Sequence, residues 1–377
     1  MIAATPADKS AAGFAPAPLS IRQALPSDEN RWANFVEAHP QGLIYQHPLW
    51  VAALEEEYGG KSCTLLCQDD HGELRGVLSL LDTKGLPFTR SGQTAARLAS
   101  LPRTPLAGPL ALDAAAATAL LKAATQRLDA QPHHQLQIRS LDGGLASILP
   151  GMTVSPWKEI YVLGLPADPS QLTWGGREKR HRIKGAVNRA IKLGVEVREA
   201  ESEADLRAWY QLYLETMRWH ISPPRPYRFL LSLWNRLRPL GKLRLLLAER
   251  SQDGQLLAGY LFLACGRTMH CYLNGRRGDS LPFHPNDLLQ WKAIYDSCAQ
   301  GFHRYDLGEV EPGQKGLAEF KTKWGAAPVF SYRYYYPPPN LLRGPAQNLT
   351  RSPLGRLWRY VPLAATAVLG DWLYGYL

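Results

Sequence analysis

The residues whose types and spacing best suit chemistry lie between positions 270 and 325. The run 269–275 has the apolar character of a strand, a polar loop follows it, and a helix is predicted to begin at Asp287 with Asn286 as its N-cap. A strand that leads through a loop into a helix N-terminus brings unpaired backbone N–H groups and a partial positive charge to one point. Anions and developing oxyanions bind at such points, which predicts a group-transfer site here.

Acidic and basic side chains near this helix supply candidates for proton transfer. Glu309 and Glu311 end the next predicted strand, and His284 lies in the loop before the helix, so each is a candidate catalytic residue that deprotonates an acceptor nucleophile. Simple helix capping by Asn286 and solvation of the loop charges are the alternatives. No metal site is predicted. The candidate substrate-binding residues are Tyr272, Asn274, Arg277, Asn286, Lys315, Lys321 and His220.

The elements that must position these residues occur twice along the chain. A hairpin is predicted over 61–67 and 74–81 in the first half, and another over 242–249 and 255–264 in the second. Helices with aromatic anchors precede each hairpin, and a helix followed by a strand comes after it. We therefore predict an α/β (α+β) fold of two tandem domains, each a mixed, mainly antiparallel sheet flanked by helices. Two unrelated α/β domains are the alternative.

The predicted domains cover residues 19–165 and 170–336, after a flexible lead over 1–18. The predicted helices cover 30–38, 48–58, 114–130, 204–219, 227–237 and 287–300, and two further strands cover 135–140 and 304–307. The length of 377 residues agrees with two domains, because single cores stop growing at roughly 250–300 residues. With 45% apolar and 20% charged residues, the composition excludes an intrinsically disordered chain.

A basic amphipathic helix is predicted over 177–193, at the start of the second half. Its apolar residues recur at helical spacing, and Gly194 provides an end signal. The opposite face carries seven Lys and Arg residues against one acid, Glu178. This face suits the phosphates of a tRNA, and a merely solvated helix face is the simpler explanation.

Charge and cysteine content bear on partners and compartment. The net charge of +10 permits attraction to nucleic acid, anionic lipid or phosphorylated substrates without choosing among them. The five cysteines lack CxxC spacing, so we expect reduced thiols with structural roles. The lead over 1–18 lacks the features of a signal peptide, and we therefore expect a cytoplasmic protein.

Residues 337–377 form a Pro-rich linker and an amphipathic tail. The tail combines Leu, Trp and Tyr residues with flanking arginines, but Pro362, Gly370 and Asp371 keep its apolar stretch below the ~18 residues that span a bilayer. Two possibilities follow. The tail docks on the protein's own surface, or it lies in the interface of an anionic membrane and makes the protein peripheral on the inner face of the cell membrane.

Three features together resemble the GNAT superfamily of acyltransferases, specifically its FemAB-like branch, whose members have two GNAT-like domains in tandem. They are the basic segment 179–184 with its helix end at 193–195, the segment 213–224, and the segment 313–325. The resemblance covers about residues 20–336. It implies transfer of an acyl or aminoacyl group to an amine or hydroxyl of a cell-envelope or exopolysaccharide precursor.

The loop before the helix at 287 departs from the pattern of acetyl-CoA-dependent GNAT enzymes. Those enzymes carry [Arg/Gln]-x-x-Gly-x-[Gly/Ala] there, whereas residues 278–283 do not. Members of the FemAB-like branch use aminoacyl-tRNA or acyl-CoA, so the resemblance implies one of these co-substrates without choosing. The alternative function is a non-catalytic GNAT-like scaffold that recruits a polysaccharide or envelope biosynthesis complex to the membrane. The oligomeric state stays open.

Overall fold

The computed structural model describes residues 18–85, 96–129, 135–339 and 358–374. The predicted lead, apart from Pro18, and most of the predicted linker lie outside these residues. The strands are β1 (Ser20–Gln23), β2 (Cys63–Gln68), β3 (Leu74–Thr83), β4 (Arg97–Ala99), β5 (Leu110–Ala111), β6 (Leu136–Ser140), β7 (Thr153–Gly164), β8 (Val195–Glu199), β9 (Leu243–Arg250), β10 (Gln255–Cys265), β11 (Thr268–Arg276), β12 (Arg304–Val310) and β13 (Ala327–Tyr336). The helices are α1 (Glu29–Ala38), α2 (Pro48–Tyr58), α3 (Ala114–Asp129), α4 (Leu145–Ile148), α5 (Arg177–Lys192), α6 (Glu203–Trp219), α7 (Tyr227–Leu237), α8 (Pro285–Ala299), α9 (Lys315–Lys323) and α10 (Leu363–Tyr374).

The described strands form one sheet that runs through both halves of the chain. Its order is β1-β2-β3-β4-β6-β13-β7-β12-β11-β10-β9-β8, and β5 pairs with β3. Most neighbours are antiparallel, and each half contains one parallel pair, β4 with β6 and β11 with β12. The predicted fold class, a mixed and mainly antiparallel sheet flanked by helices, is confirmed.

The last strand of each half crosses to the other half. β7 follows β6 in the chain but pairs with β12, and β13 follows β12 but pairs with β6 as well as β7. The two halves are therefore joined at the centre of the sheet by backbone hydrogen bonds, which explains how one sheet passes through both predicted domains.

Alternate residues of each strand supply two different cores. In β10, Leu261 and Leu263 face a core that also contains Trp50 of α2 and Phe229 of α7, so helices of both halves pack on this face. On the opposite face, Phe262 joins the core beneath α5 and α8, while α3 covers the first half. The first face of the sheet therefore carries residues of both halves. The candidate site lies on this face.

The predicted start of α8 is wrong by two residues. The helix begins at Pro285, with His284 in the N-cap position at a φ of 53°, so Asn286 lies in the first turn rather than at the cap. Proline is favoured at the first helical position because its fixed φ is helical and it lacks an N–H that would need a partner. That preference outweighs the preference of asparagine for the cap.

Helix α10 docks on the protein through one face only. Thr366 and Gly370 are buried, and the backbone of Gly370 lies against Pro224. Asp371 pairs with Arg228 of α7. The opposite side of the helix exposes Val368 and Trp372. Within the described residues no helix is both long and apolar enough to cross a membrane.

Candidate active site

The candidate site forms where the parallel pairing of β11 and β12 ends. His270 opposite Asp306 is the last pair, although β11 continues to Arg276 and β12 to Val310. Beyond this pair the facing edges of the two described strands do not pair with each other, so backbone groups there are available to a ligand. Gly308 has a φ of 83°, and a Cβ atom there would lie 3.3 Å from the carbonyl oxygen of Cys271, which favours glycine.

Lys321 of α9 reaches this strand end. Its ammonium donates hydrogen bonds of 2.9 Å to the carbonyl oxygens of Gly308 and Glu309. The residue is only 6% exposed, and this burial lowers the pKa of its ammonium to about 8. The space between the unpaired edges of β11 and β12 is called the strand gap below. A cation held at this point can stabilise negative charge that develops on a ligand in the strand gap.

His270 and Asp306 form a buried pair that the sequence analysis did not select. Nδ1 of His270 lies 3.0 Å from Oδ2 of Asp306, whose Oδ1 accepts a hydrogen bond of 2.7 Å from the backbone N–H of Gly308. Because the carboxylate accepts, Nδ1 carries the proton and Nε2 is the acceptor nitrogen. Nε2 is buried and has no hydrogen-bond partner among the described residues. An imidazole in this state can take a proton from a nucleophile.

The two predicted glutamate bases lie beside the same strand end. Lys158 of β7 pairs with both, at 3.2 Å from Glu309 Oε2 and 3.1 Å from Glu311 Oε1. The Glu309 side chain is 24% exposed and that of Glu311 46% exposed. Glu309 belongs to β12 itself and is the more enclosed of the two, so it is the better placed to meet a nucleophile in the gap.

The first half of the chain contributes an aromatic wall to the site. The Tyr45 ring lies 5.3 Å from the imidazole of His270 and 6.3 Å from the Tyr272 ring, and Trp50 lies 5.3 Å from Tyr272. Burial raises the pKa of the Tyr45 phenol, which keeps it neutral. The site therefore lies between the two halves. Tyr45 has no local signal in the sequence, because it lies in the first half, far along the chain from the predicted site residues.

His284 belongs to a separate cluster at the start of α8. Its Nδ1 lies 3.6 Å from Oδ2 of Asp287, which also pairs with Lys323. Arg277 pairs with Asp279 at 3.1 Å in the preceding loop. The Oδ1 atom of Asn286 is buried and has no partner among the described residues. Helix N-termini attract anions, so the start of α8 can bind a negatively charged group.

The other predicted ligands lie around the rim. Asn274 is exposed on β11, and Lys315 is exposed as the first residue of α9. His220 caps α6, whose Thr216 hydroxyl accepts a hydrogen bond of 2.9 Å from the backbone N–H of Arg276. Of the predicted site residues, Tyr272, Glu309 and Lys321 thus lie beside the end of the β11–β12 pairing. Lys315 lies away from it.

Residues 177–322 match a family model described as an acetyltransferase (GNAT) domain. The match runs from α5 through β11, α8 and β12 into α9, so it contains the strand gap and Lys321. The second half of the chain thus contains a GNAT domain. No curated protein sequence matches the chain.

Solved structures share the fold of this protein across both halves of the chain. The crystal structure of FemX is 16% identical, with a TM-score of 0.66 over 83% of this chain and 96% of FemX. A conserved protein from Bacteroides thetaiotaomicron is 12% identical, with a TM-score of 0.57 over 84% of this chain and 99% of that one. L-PGS from Bacillus licheniformis is 15% identical, with a TM-score of 0.52 over 87% and 97%. At these identities the likeness establishes the fold, and it extends over both halves of the chain.

Proposed function

We propose that the protein transfers an acyl or aminoacyl group to an amine, and that the gap beyond the last β11–β12 pair is the reaction site. The observation that supports this most strongly is the convergence of three groups on that pair. Lys321 offers a buried cation, His270 offers a proton-accepting nitrogen held by Asp306, and Glu309 offers a partly exposed carboxylate. Acyl transfer needs these functions, because an oxyanion develops and a proton leaves the nucleophile.

The proposed reaction is direct transfer. The acceptor nitrogen attacks the acyl carbon, the carbonyl oxygen becomes an oxyanion beside Lys321 and the backbone of β11, and the bond to the donor's sulfur or ribose oxygen then breaks. The amine proton passes to His270 or Glu309, and the leaving group takes up a proton. A covalent enzyme intermediate on Cys271 is disfavoured, since burial raises the pKa of its thiol to about 12.

The proposed donor is acyl-CoA or aminoacyl-tRNA. The basic face of α5 supports the second, because a surface depression there is lined by Arg177, Glu178, Arg180, His181 and Lys184. RNA phosphates bind such a surface and release counterions, which makes the affinity salt-dependent. Lys179 of the same helix donates a hydrogen bond of 3.0 Å to the carbonyl oxygen of Thr322, next to Lys321. A tRNA on α5 would therefore lie close to the reaction site.

We further propose that the acceptor is a cell-envelope or exopolysaccharide precursor and that the protein works on the cytoplasmic face of the membrane. Helix α10 supports the membrane contact, since Val368, Leu369 and Trp372 are 69%, 40% and 53% exposed. The guanidinium of Arg359 lies 4.8 Å from the ring of Trp219, which is itself 59% exposed. Exposed apolar and aromatic side chains beside arginines fit the interface of an anionic bilayer.

The test is donor use by the full chain. The protein is incubated separately with radiolabelled acetyl-CoA and radiolabelled aminoacyl-tRNA, each with an extract of envelope and polysaccharide precursors, and label on acceptors is measured. Transfer from one donor that falls in the Glu309→Gln, Glu311→Gln double variant supports the proposal. Absence of transfer and of calorimetric binding with both donors would contradict it and favour the non-catalytic scaffold.

A further inference from the structure

Two arginines face each other at the strand crossing in the middle of the sheet. Arg139 of β6 and Arg333 of β13 are direct partners in the antiparallel register. Residues in this relation point to the same face, with Cβ atoms roughly 4.5–5.5 Å apart, and like charges at such positions repel. Two like charges at these positions destabilise the fold when no anion is bound. The pair therefore indicates a place where an anion can bind.

Neither guanidinium has a carboxylate partner within the described parts of the chain. Arg139 is 7% exposed, and its Nη1 donates to the carbonyl oxygen of Thr104 at 2.6 Å. The guanidinium of Arg333 lies over the Trp157 ring at 3.1 Å from its centroid. The Nε atoms of both arginines are buried without a hydrogen-bond acceptor, as is Nε2 of Gln137, two residues from Arg139 on the same face. Three unused donors thus meet on one face of the sheet.

Burial and the like charge of a nearby arginine both disfavour the charged forms of these two side chains. Burial, and after it the charge of Arg333, holds the pKa of Arg139 well below its usual range. Burial also lowers the pKa of Arg333 to about 10. Buried charges are normally paired or bound to ions. Planar guanidinium groups match the geometry of carboxylate and phosphate oxygens, with up to two hydrogen bonds from each arginine.

We propose that an oxyanion, a phosphate or carboxylate group carried by the acceptor, binds between Arg139 and Arg333. This inference rests on the proposed acyl transfer for its link to the acceptor. The site is next to the reaction gap, because β7 separates β13 from β12 and its Lys158 pairs with Glu309. Arg333 is only partly buried, whereas Arg139 is buried. An acceptor anchored there by its anion presents its amine to the gap.

The experiment measures anion binding by the full chain without any donor. Phosphate, pyrophosphate and acetate are titrated at constant ionic strength set by sodium chloride, and binding is followed by calorimetry and by the thermal unfolding midpoint, which rises when a ligand binds the folded state. We expect saturable binding of at least one anion, at least tenfold weaker in Arg333→Gln. The matched control is Arg207→Gln, an exposed arginine on α6 paired with Glu203, which should bind as the wild type does.

Binding of phosphate or pyrophosphate but not acetate identifies a phosphate-bearing acceptor, and the reverse identifies a carboxylate. If Arg333→Gln does not fold, the site is tested instead by NMR spectroscopy of the wild type. Two arginine Nε–H resonances should then shift as the anion is added. Absence of saturable binding, or equal affinity in wild type and Arg333→Gln, overturns the site. Acyl transfer without anion binding refutes this inference alone, whereas anion binding without acyl transfer refutes only the proposed function.

Discussion

His270 lies opposite Asp306 in the last residue pair shared by β11 and β12, with Nδ1 3.0 Å from Oδ2. The carboxylate fixes the proton on Nδ1 and leaves Nε2 as a buried acceptor without a partner among the described residues. A histidine buried only for packing would be expected to have both ring nitrogens satisfied. The unused nitrogen, at the point where the sheet opens, is the main reason to place proton transfer here.

Replacement of His270 by Gln should lower the rate of acyl transfer by about 10²–10⁴, the usual contribution of general acid–base catalysis. Asp306→Asn should lower kcat as well, because it removes the carboxylate that selects the tautomer. The matched control is His284→Gln at the start of α8, which we expect to keep near wild-type kcat. Rates are compared at equal folded fraction, verified by circular dichroism. A larger loss in Glu309→Gln than in His270→Gln would assign the base to Glu309 instead.

Activity should fall as pH rises through about 8, the pKa to which burial lowers the Lys321 ammonium. The sign follows because the charge is present below this pKa and lost above it. In Lys321→Arg the decrease in kcat/KM at high pH, the basic limb of the profile, should disappear, since a guanidinium stays charged. Lys321→Met should lose most activity at all pH values, whereas Lys315→Met, exposed on the same helix, should not. The measurement is kcat/KM against pH for the four proteins. An unchanged basic limb in Lys321→Arg would argue against this role.

Glu57 of α2 and Arg225 before α7 form an ion pair that joins the two halves, at 2.8 Å with side chains 0% and 4% exposed. Removal of one partner leaves an uncompensated buried charge, so Arg225→Met should lower the free energy of unfolding by about 3–5 kcal/mol. The control is Arg236→Met, whose partner Glu56 is 51% exposed, and there we expect less than about 1 kcal/mol. Urea denaturation measures both. Equal decreases in the free energy of unfolding for the two variants would mean that burial of the Glu57–Arg225 pair does not increase the effect of removing one partner.

Binding of the full chain to anionic vesicles should depend on the exposed side of α10. Leu369→Glu with Trp372→Glu replaces two exposed apolar residues by charges that anionic headgroups repel, so co-sedimentation should fall several-fold. The control is Leu25→Glu, at a leucine of the first half that is 61% exposed. Vesicles of neutral lipid should bind weakly, and added salt should weaken binding to anionic ones. Equal binding by the α10 variant and the wild type would contradict the membrane contact.

The sequence predicts local elements well and long-range pairing poorly. The helix predicted over 48–58 matches α2, and that predicted over 227–237 matches α7, because apolar periodicity and caps are local signals. The insertion of β13 between β6 and β7 depends on contacts across the whole chain and has no local signal. For the same reason Arg139 and Arg333 look like ordinary strand charges until the register makes them neighbours.

The site was predictable to the extent that its residues are close in sequence. Glu309 and Lys321 were selected because both follow the predicted strand–loop–helix segment, and both lie at the strand gap. His270 and Asp306 carried a weaker signal, a titratable residue within each of two apolar strands, which is costly unless the two meet. Tyr45 lies more than two hundred positions away and enters the site only through the packing of the two halves.

The most direct test of the account is a crystal structure of the full chain with a slowly reacting donor, either a thioether analogue of acetyl-CoA or an amide-linked aminoacyl-tRNA mimic. The account predicts the acyl carbonyl in the gap between β11 and β12, with its oxygen within hydrogen-bond distance of Lys321 or the β11 backbone and its carbon facing His270 and Glu309. An acyl group bound at the start of α8 beside His284, or on α5 away from the gap, would contradict it.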